Sequence, residues 1–250
     1  MKMGSSRIIF LIVHGTWAHS GMEIITSLQS LLAESGENSL AINLSLGISD
    51  RHGFMTCDPP VFANHGDAPA EINRWVDYLK NEWDEIIVIG HSRGGNQVAL
   101  FNQAFPTPEV SHLVLIAPMS WIEEEGIRDY QEKYGKSLQD VMGIARRNPG
   151  KAITADLLNC HNIEVSAESF LSYYSSETNR NTPELLHSID RSVLVVQGTE
   201  DNLADAYKAQ TELFSDNPNV YEIWIDGSDH FFRDLYADEL VEQMLEWLQR

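Results

Sequence analysis

Ser92 stands in Gly90-His91-Ser92-Arg93-Gly94, directly after the apolar run Ile86-Ile87-Val88-Ile89 and directly before the helix-compatible stretch Gly95-Asn96-Gln97-Val98-Ala99-Leu100-Phe101. A strand that turns into a helix through G-x-S-x-G holds its serine on a strained corner, with Oγ projecting clear of both elements. Glycine is required at the outer positions because a Cβ there would collide where strand and helix cross. A serine hydroxyl is nearly inert at neutral pH, so the corner does chemistry only with a base within about 3 Å. His230, in Asp226-Gly227-Ser228-Asp229-His230-Phe231-Phe232, follows the last apolar run and can supply that base. A loop there can lay an imidazole over the corner, take the serine proton and return it to a leaving group. Of the nine histidines, His14 and His91 belong to other motifs and His112 abuts a strand; His19, His52, His65, His161 and His187 lack this position.

Such a corner needs a sheet beneath it. Apolar runs recur at Ile8 to Val13, Leu40 to Leu44, Ile86 to Ile89, Leu113 to Ile116, Val193 to Val196 and Tyr221 to Ile225. Four of these are unbroken, as suits strands covered on both faces of a parallel sheet. Between them lie amphipathic segments: Ile72, Trp75, Val76 and Leu79 share one helix face, and Val241, Met244, Leu245 and Leu248 repeat the spacing. The alternation predicts an α/β fold, with a doubly wound, mostly parallel six-stranded sheet in one domain over 1–250. It breaks once, between Ser120 and Ile189, where helical patterns run through Ile127, Tyr130 and Tyr134 and through Leu138, Val141, Met142 and Ala145, stopped by Asn148-Pro149-Gly150. Further helices are expected over Ala152 to Leu158 and Ala167 to Tyr174. Inserted between two core strands, 120–189 reads as a helical cap or lid over the carboxyl ends of the sheet, where open α/β sheets bind ligands.

The net charge of −20 argues against nucleic acid, which needs an excess of Lys and Arg, and against an anionic membrane surface. Cys57 and Cys160 are too few for a disulfide framework and read as buried or inert thiols of a reducing compartment. Lys2 and Arg7 precede an apolar run too short for a signal segment, and no stretch approaches a membrane span, so the expected location is cytoplasmic. His52, Cys57, Asp58 and His65 match no metal-ligand spacing, and no G-x-G-x-x-G or Walker loop is present. Neither a metal nor an organic cofactor is expected; the partner is a small-molecule acyl substrate, and the oligomeric state is open.

Taken together, the chain resembles the α/β-hydrolase superfamily over nearly its whole length: His14-Gly15 after the first strand, the elbow at Ser92, then a late Asp and His. The resemblance implies the order Ser…Asp…His. It places the acid three residues after the glycine of Gln197-Gly198-Thr199-Glu200-Asp201, which selects Asp201, with Glu200 and Asp205 as rivals. Asp201 would accept a hydrogen bond from His230 Nδ1 and fix its tautomer. His14-Gly15-Thr16-Trp17 resembles the family's oxyanion loop, with Thr16 the first choice for a backbone donor, Trp17 the alternative, and the Arg93 N–H the second donor. His14 is expected to buttress that loop. Trp17, His91, Met119 and Trp121 are candidate substrate contacts, and Phe170, Tyr173 and Tyr174 could extend an apolar acyl pocket.

The implied activity is that of a serine carboxylesterase acting on small or medium esters. The same elbow admits thioesters, amides, lactones and C–C bonds. Epoxide hydrolysis and dehalogenation use an aspartate at the elbow, which Ser92 disfavours. A catalytically silent hydrolase-like binding protein, and a scaffold whose acidic surface docks a basic partner, are the readings from other classes.

Overall fold

The computed structural model describes residues 7–176 and 181–250. Lys2 lies outside them, as do four residues of the 120–189 segment. In chain order the strands are β1 (Ile8–Val13), β2 (Asn38–Ile42), β3 (Glu85–His91), β4 (Val110–Ile116), β5 (Ala152–Leu157), β6 (Cys160–Ser166), β7 (Ser192–Gly198) and β8 (Val220–Ile225). The helices are α1 (Glu23–Glu34), α2 (Ala68–Leu79), α3 (Arg93–Ala104), α4 (Glu123–Tyr134), α5 (Leu138–Arg146), α6 (Ala167–Tyr174), α7 (Thr182–His187), α8 (Asp205–Lys208) and α9 (Leu235–Leu248).

All six expected runs enter one parallel sheet, in the order β2-β1-β3-β4-β7-β8. β1 and β3 are buried from their second residue to their last, as strands covered on both faces must be. Ile72, Val76 and Leu79 of α2 and Val98, Ala99 and Phe101 of α3 pack one face. Ile24, Ile25, Leu28 and Leu32 of α1 and Leu240, Val241, Met244 and Trp247 of α9 cover the other. β2 begins and ends two residues ahead of the expected Leu40 to Leu44, because the Leu44 N–H leaves the ladder to donate to His14 Nε2 (3.1 Å). After β2 the chain crosses back, so β1 and β3 flank a topological switch point, and the crevice at their carboxyl ends is where such sheets take ligands.

Between β4 and β7, α4, α5 and α6 form where helical spacing was read. The stretch from Ala152 does not follow that reading. It is strand β5, paired antiparallel with β6 through Ile153 with Val165 and Thr154 with Glu164. β-branched residues suit this pleated, half-covered surface better than a helix. Val61, in the loop after β2, joins the hairpin: its N–H donates to Glu164 O and its carbonyl accepts from Ser166 N, both at 2.9 Å. The thiol reading of the cysteines is likewise corrected, since Cys57 of this loop and Cys160 of β6 form a disulfide with Cα atoms 5.5 Å apart. Tyr130, Leu138, Met142, Leu157, Phe170 and Tyr173 build a separate core there, into which Trp17 reaches from the loop after β1.

Candidate active site

Ser92 sits between β3 and α3 with φ 57° and ψ −123°, a conformation that costs a non-glycine residue about 1–3 kcal/mol. Neighbouring backbone holds it there. Its N–H donates to Ile116 O (2.8 Å), and its carbonyl accepts from Gly95 N (2.9 Å) and Met119 N (3.0 Å). The flanking glycines are demanded by backbone. A Cβ on Gly90 would lie 2.4 Å from Gly94 O, and one on Gly94 would lie 2.4 Å from His14 O.

The acid and the histidine come from the loops after β7 and β8, tied together by Glu200 N donating to Ser228 O (3.0 Å). His230 Nδ1–H donates to Asp201 Oδ2 at 2.7 Å. Asp201 Oδ1 accepts from Leu203 N (2.8 Å), so both carboxylate oxygens are engaged. Burial pushes the Asp201 carboxyl up, but the bond and charge of His230, with the Leu203 N–H, outweigh it and hold the group below the usual carboxylate range. The rivals are not brought to the imidazole: Asp205 faces Lys208 at the surface (3.6 Å), and Glu200 contributes only its backbone here.

His91 joins this pair to the elbow. Its Nε2–H donates to the His230 carbonyl (2.9 Å), and the two rings lie 5.0 Å apart. His91 is 2% exposed and packs under the His230 loop. Burial lowers its pKa to about 4, so the ring is neutral at pH 7.

Across the elbow, Ala18 N donates to Gly15 O (3.3 Å), closing a turn in which Trp17 adopts φ 52°. Among the described residues neither the Thr16 nor the Trp17 N–H has an acceptor, and the Arg93 N–H, first in α3, has none within its helix. His14 buttresses the turn as expected: Nδ1–H donates to Gly15 O (2.9 Å), while Nε2 accepts from Leu44 N and Arg51 Nη2, both at 3.1 Å. Burial takes its pKa down to about 4. Of the candidate substrate contacts, Met119 lies against the elbow through its backbone. Trp17 is 7% exposed and donates from Nε1 to Tyr173 Oη (3.2 Å), and Trp121 packs over Gly126 of α4.

One cluster has no counterpart in the sequence reading. Arg93 Nε donates to Thr16 Oγ1 (3.0 Å) and Nη1 to His65 Nδ1 (3.3 Å), and the guanidinium lies 5.1 Å from the Tyr173 ring centroid. His65 Nε2–H in turn donates to Asn96 Oδ1 (2.8 Å), Asn96 Nδ2 to Thr182 Oγ1 (3.2 Å), and Thr182 Oγ1–H to Met119 O (2.6 Å). No local signal announces this chain, because its members are scattered from position 16 to 182.

The model of the alpha/beta hydrolase family matches residues 10–243. Among solved structures, Est1E from Butyrivibrio proteoclasticus is similar with a TM-score of 0.66 at 20% identity, covering 100% of this chain and 92% of that one. A monoacylglycerol lipase from Paleococcus ferrophilus has a TM-score of 0.66 at 18% identity, covering 96% and 93%. An esterase from Pyrococcus furiosus has 0.64 at 18%, covering 98% and 83%. No curated protein matches by sequence. The match over 10–243, on a sheet and elbow of this topology, shows that the chain belongs to the alpha/beta hydrolase family.

Proposed function

We propose that the protein is a serine hydrolase of small or medium carboxylic esters, working through an acyl-enzyme on Ser92. The observation that carries this reading is the 2.7 Å bond between His230 and Asp201, in a loop that His91 fastens to the elbow. With Nδ1 donating to Asp201, Nε2 is the free base of the imidazole. It takes the Ser92 proton as Oγ adds to the ester carbonyl. The tetrahedral oxyanion is met by the Arg93 N–H and a donor from Thr16 or Trp17, at the positive end of α3. Collapse expels the alcohol, which leaves with the proton from Nε2. Water, deprotonated by the same nitrogen, then adds to the acyl-enzyme and releases the acid and the serine. Every step uses side chains and N–H groups of this chain plus water. Asp201 stays ionised throughout and stabilises the transient imidazolium.

In this reading the described part of 120–189 is a cap over this site, with residues such as Trp121 and Tyr173 setting the acyl group accepted. Thioesters and lactones follow the same steps with a different leaving atom. A Cys57–Cys160 bond persists in oxidising surroundings, so the two cysteines do not favour the cytoplasm. Among the described residues no helix is long and apolar enough to cross a membrane.

A panel of p-nitrophenyl esters tests the reading. Wild type should turn over short acyl chains, and Ser92→Ala and Asp201→Asn should each lose on the order of 10⁴-fold in kcat. Hydrolysis by Ser92→Ala at the parental rate would refute it.

A further inference from the structure

Arg93 follows the nucleophile directly, and its side chain is 8% exposed. Burying a guanidinium without a counter-ion is costly, so buried arginines ordinarily face a carboxylate. This one does not. Its described partners are a hydroxyl, an imidazole nitrogen and the face of a tyrosine ring, all neutral, and it makes no ion pair with a carboxylate among the described residues. Among the described residues two of its five N–H groups are committed, to Thr16 and to His65, and the remainder of the fork has no acceptor there. Burial pushes its pKa down, yet an arginine stays charged at neutral pH.

The fork is held rigidly. Thr16 belongs to the turn that offers the oxyanion donors, and the His65–Asn96–Thr182–Met119 chain runs back to the residue bonded to Ser92 O. A fixed cation beside a nucleophile is therefore present before substrate arrives. A planar fork with free N–H groups matches a carboxylate in bidentate geometry.

We propose that Arg93 is a specificity residue whose guanidinium binds a second, ionised carboxylate on the substrate, making the preferred substrate an ester that also carries a carboxylate. This deepens the esterase reading and rests on it. The surface charge cannot produce the same preference, since a net charge of −20 repels anions and lowers their local concentration. Selection for an anionic ester must come from a local cation.

The test compares p-nitrophenyl butyrate with mono-p-nitrophenyl glutarate, which carries its carboxylate on the acyl side, and with p-butyryloxybenzoate, which carries it on the alcohol side. Wild type should favour one of the anionic esters over the neutral one by about 10-fold or more in kcat/KM, the scale of one charge-assisted hydrogen bond. Arg93→Met should erase the ratio and Arg93→Lys should restore part of it. A purely structural role for the side chain would lower all three esters together and leave the ratio unchanged. Binding of free glutarate, followed as a rise in melting temperature, is the readout that needs no turnover. It should stabilise wild type and not Arg93→Met. Absence of any ester turnover, with glutarate still bound through Arg93, would refute the esterase reading alone. Neutral-ester turnover with neither anionic preference nor glutarate stabilisation would overturn the assignment of Arg93 alone.

Discussion

Lowering the pH from 7 to 5 acts on imidazoles whose pKa burial lowers: on His112, which wild type and His91→Gln share, and most strongly on His14 and His91, each brought down to about 4. In the unfolded chain both titrate at about 6.5. Between those values the unfolded state binds a proton that the native state refuses, so stability falls as pH falls, by about 1.4 kcal/mol per pH unit for each group. At pH 5 the loss is about 2 kcal/mol per imidazole and about 4 kcal/mol for the pair. Both rings are at most 2% exposed, so solvent does little to screen the effect. Asp201 and Asp156, held below the ordinary carboxylate range, lose their contributions only at lower pH and do not confuse this window. The assay is urea unfolding, followed by tryptophan fluorescence, for wild type and His91→Gln at pH 7, 6 and 5. Whatever the substitution does at pH 7, it should remove about 2 kcal/mol of the pH dependence by pH 5. Relief of the surface carboxylates is common to both proteins and cancels in the comparison. Parallel stability curves for the two proteins would refute the claim that His91 is held neutral by burial.

Two further outcomes follow from the scaffold. Cys57 and Cys160 are 103 residues apart, so replacing both by serine should lower stability, with chain-entropy arguments setting an upper scale of about 4.7 kcal/mol; calorimetry with and without reductant measures it. Gly94→Ala would drive a Cβ into the carbonyls of His14 and Val13 at 2.4 and 2.6 Å, so folding yield and melting temperature should collapse, whereas Gly66→Ala, with nothing within 4 Å, should leave both nearly unchanged.

The sheet and the elbow were legible because their signals are local. β3 and the first turn of α3 are contiguous; Gly90 is needed where α3 crosses β3, and Gly94 where α3 passes the end of β1. His230 and Asp201 were reachable through their places after two strands. The hairpin β5–β6 was not, because its two-residue turn Leu158-Asn159 puts the positive φ of 56° on leucine, where a glycine or asparagine would have signalled a hairpin, and Asn159 alone is a weak mark. The disulfide escaped for a related reason: two cysteines 103 residues apart carry no pattern, and only the pairing of β6 with the loop at Val61 brings them together. Arg93, His65, Asn96 and Thr182 escaped because polar residues in a loop and on a helix read as a solvated face, whereas here all four are buried against one another. The bond of His91 to the His230 carbonyl had no signal in the sequence, because 139 residues separate the two.

The central claim is that Ser92 is a nucleophile activated by His230. Intact-protein and peptide mass spectrometry after treatment with a fluorophosphonate measures it directly. One phosphonyl adduct should form, on the peptide containing Ser92, with none on Ser92→Ala and a strongly slowed reaction on His230→Gln. Failure of wild type to be labelled, or labelling that persists unchanged in Ser92→Ala, would contradict the account.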